Sequence, residues 1–396
     1  VGLILARHMP AADYGRYGVV VALITTLATL ATLGLEKLVL RGLPHYTESE
    51  KWEEARGLLR FAALFAITSS IIVAIGSFLL HYYSDFKDPR QANAMNLLIL
   101  FLPIIVLFSY LLEVASAKGN YIGSTLIYRV VLPLLTLSGV GMLGSFDSQV
   151  NLLQALLCYG GAWLLALGPI AWQARGILPP AQRSGKKVYY PRLWLKRSLS
   201  FLSFGLLNTL LNSSGLLVLG YIHSDATETG YYAAVAQLTN IILVLGTATN
   251  RFYLPELSRI MDRKDPAALA RLFHSRSQIV LGVTAIYLLV VLSAGQPVLR
   301  LFGSGYEQAW IPWLLLSMAL CINIRYAIHA AYLQNEHHDL KVLLILAVGV
   351  VFNFALLIPL TLKFGIIGAA SSTSIALVAV SLGFKVLHLR VCRMKH

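Results

Sequence analysis

Apolar stretches of span length recur along this chain, divided by short polar turns. A bilayer hydrocarbon core is about 30 Å thick, and about 20 helical residues at about 1.5 Å each cross it. On that rule, spans are predicted near 17–36, 58–83, 95–117, 121–144, 150–173, 199–222, 231–254, 276–302, 308–334, 340–363 and 366–390. Ahead of these eleven, Val1 to Ala6 reads as the tail of a twelfth span, truncated at its start. It lacks the basic flank and small-residue cleavage site of a signal peptide. The predicted fold class is therefore an all-α polytopic membrane protein of about 12 transmembrane helices.

Composition excludes the other classes. Apolar residues make up 57% of the chain and charged ones 13%, against about 25% charged in soluble domains. Soluble enzymes, disordered chains, fibres and secreted disulfide scaffolds do not fit. Cys158, Cys321 and Cys392 form no disulfide framework and have no metal-ligand spacing.

The net charge of +14 is explained by where the cations fall. If the N-terminus is cytoplasmic and the loops alternate, 21 Lys and Arg lie on the cytoplasmic side, Arg56 and Arg276 among them. Six lie opposite (Arg7, Arg16, Lys87, Arg90, Arg300 and Lys363), and five lie within spans. Such asymmetry in short loops is the positive-inside signature. It places both termini in the cytoplasm and accounts for the basic charge without nucleic acid.

The longest loop, Ala174 to Ser198, has seven basic residues and no acidic one. It divides the chain into an N-lobe over 1–174, a linker over 175–198 and a C-lobe over 199–396. The halves repeat. Asp13-Tyr14-Gly15-Arg16-Tyr17 and Glu228-Thr229-Gly230-Tyr231-Tyr232 share an acid-x-Gly-x-Tyr pattern 215 residues apart. Each is followed by a cytoplasmic proline, Pro44 or Pro255. Six spans per half make the repeat parallel, which predicts two six-helix lobes about an axis along the membrane normal, with a cavity between them.

These residues also carry a family resemblance. Leu5-Ala6-Arg7, Pro10, Asp13-Tyr14-Gly15, Gly34-Leu35 and Arg41-Gly42-Leu43-Pro44 resemble the N-terminal signature of polysaccharide transporters. That family includes the O-antigen flippases of the multidrug/oligosaccharidyl-lipid/polysaccharide exporter superfamily. Thr229-Gly230-Tyr231-Tyr232, Leu301-Phe302-Gly303, Asn353 with Ile358-Pro359, and Phe364-Gly365-Ile366-Ile367-Gly368 resemble its C-terminal half. The resemblance implies export of an oligosaccharide linked to undecaprenyl diphosphate across a bacterial inner membrane, in lipopolysaccharide or polysaccharide assembly. It also implies glycan polymerase or assembly proteins as partners.

Polar residues inside the spans supply candidate positions. Thr25, Thr29, Thr32 and Glu36 share a helical face, as do Gln237, Asn240, Thr247 and Arg251. Asn208 and Asn212 are four apart, and the tenth span offers Cys321, Arg325, His329 and Tyr332. Such stripes surround a wet cavity or form interhelical hydrogen bonds. Arg129 and Arg325 lie eight and nine residues from the basic ends of their spans, about 12–14 Å deep. An arginine at that depth costs at least about 2.5 kcal/mol in lipid, so it faces protein or water. For Arg129 the alternative is an ion pair with Glu113 on the preceding helix. Arg60 and Lys385 sit where snorkelling suffices.

The candidate substrate-binding residues are thus Arg129, Arg325, Arg251, Gln237, Asn240, Asn208 and Asn212. Glu36 and Glu113 are the candidates for ion coupling. No catalytic residue, metal site or cofactor is predicted. Glu336-His337-His338-Asp339 reads as a solvated turn, and no Walker motif is present. Two other functions stay open: an ion-coupled exporter of small cations, which needs buried carboxylates, and a membrane glycan polymerase, which needs a large outer loop.

Overall fold

In the computed structural model the described residues are 1–83, 88–146, 150–179, 182, 184–222, 226–263 and 265–393, and none of them is in a β-strand. The helices are α1 (Gly2–His8), α2 (Ala11–Ala31), α3 (Leu35–Glu48), α4 (Trp52–Tyr83), α5 (Pro89–Ile99), α6 (Leu102–Ala117) and α7 (Tyr121–Leu126). They continue as α8 (Leu132–Phe146), α9 (Leu152–Ala174), α10 (Pro191–Ile222), α11 (Ala226–Arg263), α12 (Pro266–Arg300), α13 (Trp310–Asn335) and α14 (Asp339–Arg393).

Every predicted span has its helix. Among the described residues nine helices are long and apolar enough to cross a membrane, and α5 with α6 forms a further, bent span with a 46° break. The last helix counts twice. It runs 55 residues, but Gly365 adopts φ 56°, ψ −133° inside it. There the chain folds back, so that Gly349 packs on Val380 and Gly383 on Ile345. Large apolar side chains line the outer surfaces: Ile72, Ile75, Leu79 and Leu80 of α4 are all exposed. A water-facing protein rarely tolerates such a continuous patch, whereas lipid covers it without cost. The protein is a multi-pass membrane protein.

Helix starts follow local chemistry. Asp265 accepts a hydrogen bond from the Ala268 backbone N–H at 2.9 Å, with Pro266 at the first helical position, and so starts α12. Asn151 and Gln154 form a capping box at α9. Asp88 accepts from the N–H groups of Arg90 and Gln91 to start α5.

Two features depart from expectation. The segment after the second span, a loop by hydropathy, is the helix α3. Leu33 (φ 51°) and Gly34 (φ 69°) break the chain before it, and Leu35, Leu38, Val39 and Leu43 bury its inner side. Several spans, those of α4, α10, α11 and α12 among them, also begin earlier than their apolar windows. α12 starts at Pro266, ten residues before the predicted start, which moves Arg276 from the cytoplasmic edge of its span to ten residues inside the helix.

The chain forms two compact units. One comprises Val1, Leu3–Met9 and Arg16–Thr209, the other Gly2, Pro10–Gly15 and Leu210–His396, so the division falls inside α10. In the first unit α6 packs on α3, α4 and α9, and in the second α13 packs on α11, α12 and α14. Gly15 and Gly230 are both the fifth residue of their helices. Within the second unit they meet reciprocally. A Cβ on Gly15 would lie 2.5 Å from the Ala226 carbonyl oxygen, and one on Gly230 would overlap that of Ala11. Ala11 and Ala226 are separated by the same offset as the two glycines, so equivalent atoms of the two pentads touch each other.

Candidate functional site

In the first unit the candidates lie on α3, α6, the helix that begins at Tyr121 and, with Asn208, α10. Glu36 sits in the first turn of α3, where the helix dipole favours a carboxylate. One of its carboxyl oxygens is sealed from solvent and has no partner among the described residues. Its neighbour Lys37 donates to Glu113 Oε1. That ion pair overturns the alternative that tied Glu113 to Arg129. By hydropathy Lys37 belongs to a loop, and the helicity of α3 is what brings it to α6.

Arg129 lies instead in a π-helical turn, Ile127–Val131, between α7 and α8. Such turns widen a helix by one residue and occur often at functional positions. The Arg129 side chain is exposed, with its guanidinium 6.0 Å from the Tyr128 ring. The threonine stripe of α2 turns inward on its own helix. Thr25, Thr29 and Thr32 donate to the carbonyls of Val21, Thr25 and Thr29 at 2.7–3.0 Å. Asn208 does likewise, donating to the Phe204 carbonyl at 2.9 Å.

In the second unit the α13 stripe gathers a cationic cluster. Arg276 of α12 is wholly buried, at 0% exposure. Its Nη2 donates to Asn250 Oδ1 of α11 (2.7 Å) and to the Ile324 carbonyl (3.0 Å), and its Nη1 donates to the Arg325 carbonyl (3.1 Å). One guanidinium thus joins three helices at the level of Arg325. The Arg325 side chain is half-buried, with its guanidinium 6.0 Å from the Tyr326 ring. Lys385 of α14 lies over the same ring at 5.0 Å and donates to the Tyr326 hydroxyl at 3.4 Å. It turns into the protein, where snorkelling was expected.

One turn beyond Arg325, His329 stacks on Phe273 at 5.1 Å and meets His388 at 4.6 Å. His388 contacts Tyr332 at 4.5 Å, and Cys392 Sγ lies 3.7 Å from its Nε2. The Nδ1 atoms of both histidines are buried without a hydrogen-bond partner among the described residues. No ion pair to a carboxylate is made by Arg276, Arg325 or Lys385 among the described residues. Gln237, Asn240 and Asn212 are exposed, and the side chain of Arg251 lies outside the described residues. Arg129 belongs to one unit and Arg325 to the other.

Arg276, Lys385 and His388 were not among the sequence candidates. The signal for Arg276 was present: Asp265-Pro266 is a helix-start pair, and counting from it puts Arg276 about 15 Å into the helix.

An all-helical, many-span chain of this arrangement has the fold of the MOP-superfamily transporters. An inward-facing multidrug-resistance MATE family transporter of that superfamily matches with TM-score 0.78 at 13% identity, over 100% of this chain and 93% of its own. The lipid II flippase MurJ, inward closed, matches with TM-score 0.74 at 13% identity, over 98% and 84%. A MOP-superfamily transporter from Pyrococcus furiosus, described as having a binding pocket of reversed polarity, matches with TM-score 0.65 at 14% identity, over 100% and 91%. No curated protein matches the chain. Residues 2–261 match the model of the polysaccharide biosynthesis protein family, and the chain belongs to that family.

Proposed function

We propose that the protein moves a lipid-linked oligosaccharide, carried on undecaprenyl diphosphate, from the cytoplasmic to the outer leaflet of a bacterial inner membrane. The observation that carries this reading is the half-open Arg325, whose carbonyl accepts from Arg276 and whose guanidinium shares the Tyr326 ring with Lys385, with no carboxylate partner among the described residues. A diphosphate and a sugar chain cannot cross hydrocarbon unaided, because their charges and hydroxyls would lose hydration. A cationic interior replaces that hydration, and guanidinium matches phosphate oxygens in a bidentate fork. Family membership supports a glycan as cargo. The expected partners are the lipid-linked glycan, membrane lipids, and polymerase or assembly proteins of O-antigen or other polysaccharide synthesis.

Arg129 and Arg325 are proposed to contact the diphosphate, with Arg251, Gln237, Asn240, Asn208 and Asn212 lining the sugar path. Two lobes rocking about the substrate would give alternating access. Glu36 is the stronger candidate for ion coupling, since Glu113 is already neutralised by Lys37.

A strain lacking the protein should accumulate lipid-linked glycan on the cytoplasmic face, and the wild-type gene should clear it. Unchanged glycan distribution in that strain would end this reading. The alternative is a cation exporter, for which Glu36, with a sealed and unpartnered carboxyl oxygen, is the supporting observation. Drug susceptibility measured in the same strain separates the two. The reversed pocket polarity described for the Pyrococcus furiosus relative makes pocket charge a natural variable within this fold.

A further inference from the structure

The segment from Arg175 to Ser198 has seven cations and no carboxylate, so self-repulsion alone would leave it extended and free. It is instead fixed to the first unit at four places. Arg56 of α4 is 7% exposed. Its Nε and Nη2 donate to the Lys186 carbonyl at 3.0 and 2.9 Å, and its Nη1 donates to that of Gln182 at 2.8 Å. Val188 donates its N–H to the Glu53 carbonyl at 3.1 Å. A Cβ on Gly57 would overlap the Val188 carbonyl oxygen, so only glycine admits the segment so close. Trp194 is 1% exposed, 5.3 Å from the Phe61 ring, with its Nε1 donating to the Tyr46 hydroxyl at 3.2 Å. At the other end Lys118 Nζ donates to the Arg175 carbonyl at 3.0 Å.

These ties use main-chain carbonyls and one indole, which leaves the basic side chains outward. Lys186, Arg192, Lys196 and Arg197 are exposed. Tyr189, Tyr190, Leu193 and Leu199 of the same stretch are exposed too, as is Trp172 near the end of α9. Acids are present next to the segment, since Glu53 at the start of α4 meets it through its carbonyl, but no ion pair links Lys186, Arg192, Lys196 or Arg197 to a carboxylate among the described residues. Cations mixed with tyrosine, tryptophan and leucine at the end of a membrane span are the composition of the headgroup zone. Basic clusters next to a span attract anionic lipid.

We propose that residues 186–197, held by Arg56, form a fixed platform that binds the headgroups of anionic phospholipids on the basic side of the membrane. Fixation separates this from a loose polybasic tether. The cations are presented as a set on a backbone that needs no further ordering when lipid arrives.

The test uses the purified full chain in phosphatidylcholine vesicles containing trace spin-labelled phosphatidylglycerol or phosphatidylcholine. The motionally restricted fraction measures which lipid the protein holds. The wild type should hold phosphatidylglycerol several-fold better, and high salt should weaken the preference. The combined variant Lys186→Gln, Arg192→Gln, Lys196→Gln, Arg197→Gln should fall close to parity. Arg56→Ala keeps every exposed cation and should still lose most of the preference. Parity in the wild type, an undiminished preference in the fourfold variant, or an Arg56→Ala protein indistinguishable from wild type would each overturn the proposal. If the fourfold variant fails to elute as a single helical species, the four single glutamine variants give the same readout, each with a partial loss.

Discussion

Two arginines one helix apart divide the work of the second unit. Arg276 is spent on structure: all of its bonds are to Asn250 and to two carbonyls of α13. Its replacement by Ala strands those acceptors in a dry site and should cost roughly 3 kcal/mol, read as a lower melting temperature in detergent. Arg325 has its guanidinium against one tyrosine ring and half open. Arg325→Ala should melt close to wild type yet lose glycan export, and Arg325→Lys should restore only part, since Lys keeps charge without the fork. Normal export by Arg325→Ala would remove it from the mechanism. From sequence the two looked different in the opposite sense. An apolar window placed Arg276 at the cytoplasmic edge of its span, because hydropathy marks where lipid begins and is blind to a helix that continues past it.

Asp88 behaves as a pH-dependent tie. Partial burial pushes its carboxyl up, but Arg16 at 2.6 Å and the N–H groups of Arg90 and Gln91 outweigh that and hold it below the usual carboxylate value. A carboxyl depressed in the folded state stabilises above the unfolded value of about 3.9, and that stability is lost as pH falls through the folded value. Asp88→Asn should therefore melt lower than wild type at pH 7, with the difference closing toward pH 3.

At the scale of elements, the reciprocal contact of α2 and α11 makes a sharp test. Gly230→Ala drives a methyl group into the Ala11 carbonyl and should cost about 1–3 kcal/mol. Gly282→Ala, at a helical glycine with nothing within 4 Å, should be neutral or stabilising by up to about 1 kcal/mol. Equal melting temperatures for the two variants would dismiss the crossing as a constraint. The pentads were legible because glycine and tyrosine fall at fixed places in a repeat. Their mutual contact was not, since a pattern gives equivalence and says nothing of proximity. Element starts were legible from caps such as Asp265-Pro266 and were obscured where hydropathy alone was used. The polar stripes were legible as faces. Their partners were not, because hydroxyls bond back to their own helix as readily as to a neighbour.

For the whole molecule, the distribution of Lys and Arg implies an orientation that labelling can check. With Cys158, Cys321 and Cys392 replaced, a cysteine at Glu50 or Ser184 should be shielded in intact cells from a membrane-impermeant thiol reagent. One at Arg90 should react. Labelling of Ser184→Cys from outside would invert the orientation. The eleven spans were legible at this scale, since length and apolarity are set by the bilayer itself. The attachment of the basic segment by Arg56 was hidden. A cation that bonds carbonyls 126 and 130 residues away leaves no mark in local composition.

The π turn at Ile127–Val131 bears on how this chain is aligned with others. A π turn holds about one residue more than an α turn, and one residue is about 100° of rotation on a helix. A relative with an unbroken α-helix here, aligned without a gap, would set a different face opposite Arg129. Its corresponding charge, if it has one, would stand in a neighbouring column and look like a loss. Comparisons of charged positions along this helix therefore need a gap at 127–131 before any substitution is counted.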